Sequence, residues 1–248
     1  MAERTIFPNA PITEALLDIR VQLPVEANLT QLATYHDFVK EGYPTKRERH
    51  SWQGGFKLNP PGDIEVLQSQ GGPDGYLFTS TDGKQTVQAR LDGFTFNRLK
   101  PYDRWETFRD QARQLWQLYV RVADPKQVTR AAVRYINRIE IPLPMKDFKD
   151  YILTLPEIAP GLPQGLEKFL MQLVISLPDT PATAVITQTM EAVTDTNKLP
   201  LIFDIDVFLV AAFDVKDEEV WQVFEKLHDL KNNIFFESIT AKAKELFQ

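Results

Sequence analysis

Apolar and polar residues alternate over 12–23, ITEALLDIRVQL. Thr13, Ala15, Leu17, Ile19, Val21 and Leu23 fall on one side, Glu14, Asp18, Arg20 and Gln22 on the other. Period two predicts a strand with one dry and one charged face. Pro24 stops it, and Asn28 is placed to cap a helix carrying Leu29, Leu32, His36 and Val39 on one stripe. Residues 41–63 show no period and are rich in Gly, Pro and charge, which predicts a long loop. Four short strands follow: DIEVLQSQ, GYLFTST, QTVQARL and FTFNRL. They are separated by GGPDG, TDGK and LDGF, whose Asp-Gly pairs suit tight hairpins.

The strongest helical signal lies over 103–122, where Trp105, Phe108, Ala112, Leu115, Trp116, Tyr119 and Val122 recur at three and four. Asp103 and Glu106 have capping-box spacing, and Pro125 ends the segment. A second round begins with strand 128–141. A short helix is expected near 145–154, a Pro/Gly loop after it, and strands near 166–177, 182–192 and 201–211. A long helix from about 215 is capped by Asp214, interrupted at Asn232-Asn233, and followed by a turn begun by Ser238 or Thr240.

The order strand, helix, three or four strands, long helix therefore occurs twice, with a break near 125. RYINRIEIPLP at 134–144 repeats the cadence of LDIRVQLPVE at 17–26. The expected fold is α+β: units 1–125 and 126–248 sharing one curved antiparallel sheet backed by long helices, with strands 12–23 and 128–141 as middle neighbours. This element order resembles the duplicated TATA-box-binding-protein fold and, more loosely, the helix-grip folds. A fold resemblance implies no activity. APITEALLDIRV and KNNIFFESITAKAKELF resemble a sporadically distributed family of uncharacterised bacterial proteins. That resemblance implies a bacterial, cytoplasmic protein and assigns no catalytic residue.

The chain has 248 residues and no cysteine, which excludes disulfides, thiolate nucleophiles and thiolate metal sites. Its start lacks a basic segment followed by an apolar run, so no signal peptide is expected, and no apolar stretch is long enough to span a bilayer. Net charge is −6, but residues 90–138 hold 11 Lys/Arg against 5 Asp/Glu, leaving −12 elsewhere. That basic stripe can meet phosphate, an acidic partner, or the acidic remainder of its own chain.

Candidate chemistry sits on the charged faces. Glu14, Asp18 and Arg20 on the first strand are expected to face the same way as Arg130, Arg134, Arg138 and Glu140 on the sixth. They would form either an anion site or a register-fixing ion-pair ladder. Arg49, His50 and Trp52 join them as a basic and aromatic loop. Glu191, Asp204 and Asp206 are weak metal candidates, and neither a metal nor a cofactor is expected. His36 reads as a core or boundary residue and His228 as exposed. No G-x-S-x-G, H-E-x-x-H or phosphate-loop motif is present.

The favoured function is non-catalytic binding of a protein or small anionic ligand by the charged sheet face and loop 41–63. Alternatives are a hydrolase or transferase using Glu14/Asp18 with Arg134/Arg138, and nucleic-acid binding by the 90–138 stripe, which the acidic balance opposes. A homodimer through an exposed sheet edge is also open.

Overall fold

A computed structural model describes residues 7–59, 63–177, 180–191, 197–216 and 218–248, with the side chains of 52–70 left outside the description. The protein is an α+β fold on a nine-stranded antiparallel sheet. The strands are β1 (Ile12–Gln22), β2 (Thr45–Asn59), β3 (Asp63–Thr79), β4 (Gln85–Arg90), β5 (Gly93–Leu99), β6 (Gln127–Pro142), β7 (Leu170–Leu177), β8 (Ala182–Met190) and β9 (Lys198–Phe213). Their order across the sheet is β2-β3-β4-β5-β1-β6-β9-β8-β7. The two segments with the shared cadence, β1 and β6, are thus central neighbours, with Leu16 opposite Arg134 and Arg20 opposite Arg130.

Alternation settles which face is dry. Ala15, Leu17 and Ile19 of β1 are buried, as are Val133 and Tyr135 of β6 and Phe203 and Ile205 of β9. Helices α3 (Trp105–Ala123) and α4 (Glu219–Ser238) pack on this side. Phe96 stacks on Phe108 at 5.3 Å, Phe94 meets Trp116 edge-on at 5.8 Å, and Phe203 stacks on Phe235 at 6.1 Å. Tyr119 of α3 donates its hydroxyl to the Arg90 carbonyl at 2.8 Å, tying the core to the far end of β4. Asn137 lies on the dry face but is satisfied there, donating to the Phe203 carbonyl at 3.0 Å.

Asn28 caps as its sequence predicts, its Oδ1 accepting from Gln31 N at 3.0 Å. The helical stretch it begins is split into α1 (Leu29–Ala33) and α2 (Tyr35–Val39). TDGK joins β3 to β4 and LDGF joins β4 to β5, so both Asp-Gly pairs turn hairpins. Gly93, the second residue of the latter pair, has φ +154°, and a Cβ there would lie 2.1 Å from the Ile19 carbonyl oxygen. Gly93→Ala is therefore expected to lower the urea midpoint, a cost of about 2 kcal/mol.

Several expectations are corrected. The loop expected over 41–63 is mostly strand β2, paired along β3, while residues 60–62 and the Trp52 side chain lie outside the described part. Thr45–Glu48 are exposed throughout, so the start of this strand has no dry face to impose a period. GGPDG makes no hairpin. It lies within β3, where the pairing with β2 shifts register near His50. Beyond Gly75 the β2–β3 ribbon continues without pairing to β4.

Only a 3₁₀ turn, Phe148–Asp150, forms within the helix expected near 145–154. The Asp103/Glu106 capping box does not form: α3 is preceded by Arg104, which gives no side-chain cap. Asp214 accepts from Lys216 N one turn ahead of α4, and Asn232-Asn233 do not interrupt that helix, because Phe235 beyond them packs onto Phe203 and Phe247. Thr240 caps the last helix, α5 (Ala241–Glu245).

His228, expected on the surface, is buried and stacks flat on Trp105 at 4.3 Å. Lys231, one turn on, is only 6% exposed. Its Nζ lies 3.7 Å from the Tyr135 ring centroid and donates to Asn232 Oδ1 at 2.7 Å. Burial pulls the Lys231 pKa down to about 7. His36 is a boundary residue stacked on Phe78 at 5.5 Å. Among the described residues no helix is long and apolar enough to cross a membrane.

Candidate binding site

The sheet face opposite α3 and α4 carries the charges, and register arranges them in rows. The first row runs Arg49, Gly75, Arg90, Gly93, Arg20, Arg130 across six adjacent strands. The second runs Gln88, Thr95, Asp18, Ala132, and the third Asn97, Leu16, Arg134, Asp206. Glycine between arginines leaves room for guanidinium groups to lie flat. A Cβ on Gly93 would sit 3.0 Å from Arg90 Nη2. These rows line a cavity of about 560 Å3.

Asp18 is the hub. Its Oδ1 accepts from Arg90 Nη2 at 2.8 Å and Thr95 Oγ1 at 2.7 Å. Its Oδ2 accepts from Arg130 Nη1 at 3.0 Å and Arg20 Nε at 3.3 Å. Four donors saturate this carboxylate, which explains how Arg20 and Arg130 stand directly opposite one another despite like charge. Burial alone would raise the Asp18 pKa, but the charges of Arg90 and Arg20 and the Thr95 hydroxyl hold it below its ordinary value. The Arg90 side chain is 4% exposed, the Asp18 side chain 15%. Arg90 Nε is also 3.0 Å from Asp92 Oδ1, off the hydrogen-bond direction, so that contact is electrostatic only.

Outer carboxylates grip the remaining arginines. Asp92 takes Arg20, Asp74 takes Arg49, and Asp204 takes Arg134 through Nε at 2.9 Å and Nη2 at 2.5 Å. Arg49 also donates to Gln88 Oε1 at 3.1 Å, and Gln88 passes the chain to Asn97, which donates to Glu14 Oε1 at 2.6 Å. Arg130 reaches Asp206 Oδ2 at 3.3 Å and lies over the Phe208 ring at 4.3 Å. Asp206 Oδ1 is buried without a hydrogen bond. Burial raises its pKa, outweighing Arg130 and Arg134.

Once these internal bonds are made, the arginines on the cavity wall keep donor capacity to spare. Arg20 Nη2, Arg49 Nη2 and Arg134 Nη1 carry no hydrogen bond among the described residues. Of the carboxylates, Asp18 is full and Asp204 is taken by Arg134, while Asp206 accepts from Arg130 alone and its buried Oδ1 has no hydrogen bond. Such a wall selects acceptors, above all oxyanions.

The sequence candidates divide. Asp18, Arg20, Arg49, Arg130 and Arg134 line the cavity, with Asp206 beside them. Glu14 stands one row outside. Arg138 is remote, bound to Glu191 at 2.8 Å and Glu140 at 2.5 Å. His50 is likewise elsewhere, 3.7 Å from Glu48. The weak metal candidates Glu191, Asp204 and Asp206 each meet an arginine, and no three ligating side chains cluster among the described residues. Arg90, Thr95 and Gln88 were missed. Alternation places all three on the polar side of β4 and β5, so their face was readable while their register was not.

Scanned against family models the chain matches none, and a search of curated proteins returns no match.

Proposed function

We propose that this chain is a non-catalytic binding protein whose ligand is a small oxyanion-bearing molecule held on the polar sheet face. The observation that carries this reading is the donor surplus: five arginines wall one cavity, each oriented by a carboxylate, with guanidinium nitrogens to spare. Among the described residues the one hydroxyl in the cavity wall, on Thr95, is committed to Asp18, which supports binding over group transfer. Six of the nine arginines in 90–138 meet carboxylates of their own chain, among them Arg109 with Glu225 on α4 and Arg113 with Glu218 just before it, which weighs against nucleic acid.

A duplicated chain fits the same reading. Outward from the centre, the first half runs β1, β5, β4, β3, β2 and the second β6, β9, β8, β7. The cavity would then lie where the two copies meet. The bacterial and cytoplasmic assignment rests on the resemblance of the terminal blocks alone.

Calorimetric titration with small phosphates and carboxylates is expected to give saturable binding whose affinity changes little with salt, because each guanidinium is already neutralised internally. A steep log–log salt dependence, or binding to single-stranded nucleic acid alone, would reject the reading.

A further inference from the structure

The sheet ends at β7, and its outer edge is open. β7 pairs with β8 from Leu170 opposite Thr189 to Leu177 opposite Ala182. Among the described residues its one other backbone bond is a turn contact, from Thr180 N to the Leu177 carbonyl at 3.3 Å. Every second N–H and C=O along the strand therefore points away from the sheet. Free edges are commonly guarded by charge or proline. The edge at β2 follows that rule, opening with Thr45, Lys46, Arg47 and Glu48, all exposed. β7 reads LMQLVISL, with neither charge nor proline and with Gln172 and Ser176 as its polar residues. Leu170 is 73% exposed, Val174 67% and Ile175 41%. Such an edge is a template for another strand.

The pattern of β7 matches its own reverse. Met171, Leu173, Ile175 and Leu177 lie on the helix side, in line with buried Ala184 and Ile186 of β8, and the even-numbered residues face the other way. A two-fold axis normal to the sheet keeps each face on its own side, so opposed residues must share parity. Centred on Leu173, the strand would set Gln172 against Val174 and Leu170 against Ser176, polar against apolar each time. Centred on Gln172, only 170–174 would pair. Centred on Val174, all of 171–177 pair: Val174 with itself, Leu173 with Ile175, Met171 with Leu177 and Gln172 with Ser176. Apolar then meets apolar and polar meets polar at every step. Gln172 donates its amide to Thr187 Oγ1 at 3.1 Å, which leaves Oε1 to accept from the hydroxyl of the partner subunit's Ser176. We propose that β7 is a dimerisation edge and that its partner is a second copy of this chain, antiparallel about Val174, so that two nine-stranded sheets join into one. No residue of β7 or β8 lines the arginine cavity, so the dimer leaves that cavity open and the inference is independent of the binding reading.

Sedimentation velocity on the intact chain, from about 1 to 100 μM, is expected to show a reversible monomer–dimer equilibrium. Val174→Lys sets two ammonium groups opposite one another across the axis and removes the apolar pair. It is expected to weaken the dimer at least ~10-fold. Val174→Asp is expected to do the same. Mixing the two variants is expected to restore the dimer as a pair of opposite charge. Val174 is exposed, so both variants are expected to melt cooperatively, and a melting curve verifies each. A native chain that stays monomeric over the whole range would overturn the inference and leave the edge to a strand of a different protein. So would a dimer that Val174→Lys leaves unchanged, or a mixture of the two folded variants that does not re-associate.

Discussion

Asp18→Asn is expected to destabilise the protein by ~4 kcal/mol, the cost of breaking a buried ion pair from one side. The amide cannot neutralise Arg90, whose side chain has almost no access to water, and it turns a donor toward Arg90 and Thr95 where both need an acceptor. Arg20 and Arg130 then face each other without the charge that separates them. Equilibrium urea unfolding checks the loss. Asp18→Leu combined with Arg90→Met is expected to recover the part of the loss due to Arg90, since its buried charge goes too, while Arg20 and Arg130 still face each other. The acid limb supplies a second readout. A carboxyl held below its ordinary pKa contributes stability above its unfolded pKa and loses it as pH falls through the folded value. That component of acid destabilisation should be missing from Asp18→Asn. Equal stability of the single substitution and the native chain would show that Asp18 is not the hub of the face.

Lys231→Met is expected to act in the opposite direction, stabilising the protein by ~3 kcal/mol at pH 7. The amine meets the Tyr135 ring and Asn232, which in turn reaches His228 and through it Trp105, and burial lowers its pKa to about 7 from 10.5. Between those values the unfolded chain binds a proton that the folded chain lacks, so stability rises with pH by up to about 1.4 kcal/mol per unit. Below about pH 7 both states are charged and the slope vanishes. Methionine keeps the stem and removes the ammonium, so the variant should be more stable at pH 7 and should lack the rise toward pH 10. Urea midpoints at pH 7 and pH 9 in both proteins decide it. A variant less stable than the native chain at pH 7 would mean that the cation over Tyr135 outweighs its desolvation.

The parts of this molecule that were readable in the sequence are those where one face is dry. β1, α3 and β6 each have a buried stripe, and their periods placed them correctly. Where neither face is buried the pattern is silent, as at the start of β2, where Thr45–Glu48 are all exposed and read as loop. His228, expected on the surface, is buried for a related reason. It faces Trp105 of α3, and a single-helix period cannot reveal a second packing partner. The site was half legible. Asp18, Arg20, Arg130 and Arg134 follow from alternation plus the pairing of β1 with β6. Arg138 has the same parity yet lies four residues past Arg134, beside Glu191. The contribution of Arg90 needed the β4–β5–β1 register, which no local signal specifies.

The hydroxyl bond from Tyr119 reaches the backbone of Arg90, whose side chain lies on the other face of the sheet. On its inner side Tyr119 stacks on Trp116 at 5.4 Å with planes 19° apart. A native indole therefore stands two contacts from the cavity, on a path of one ring stack and one hydrogen bond. A change in tryptophan emission on adding the proposed oxyanion, lost when Trp116 is replaced by Phe, is the expected dye-free readout of that proposal.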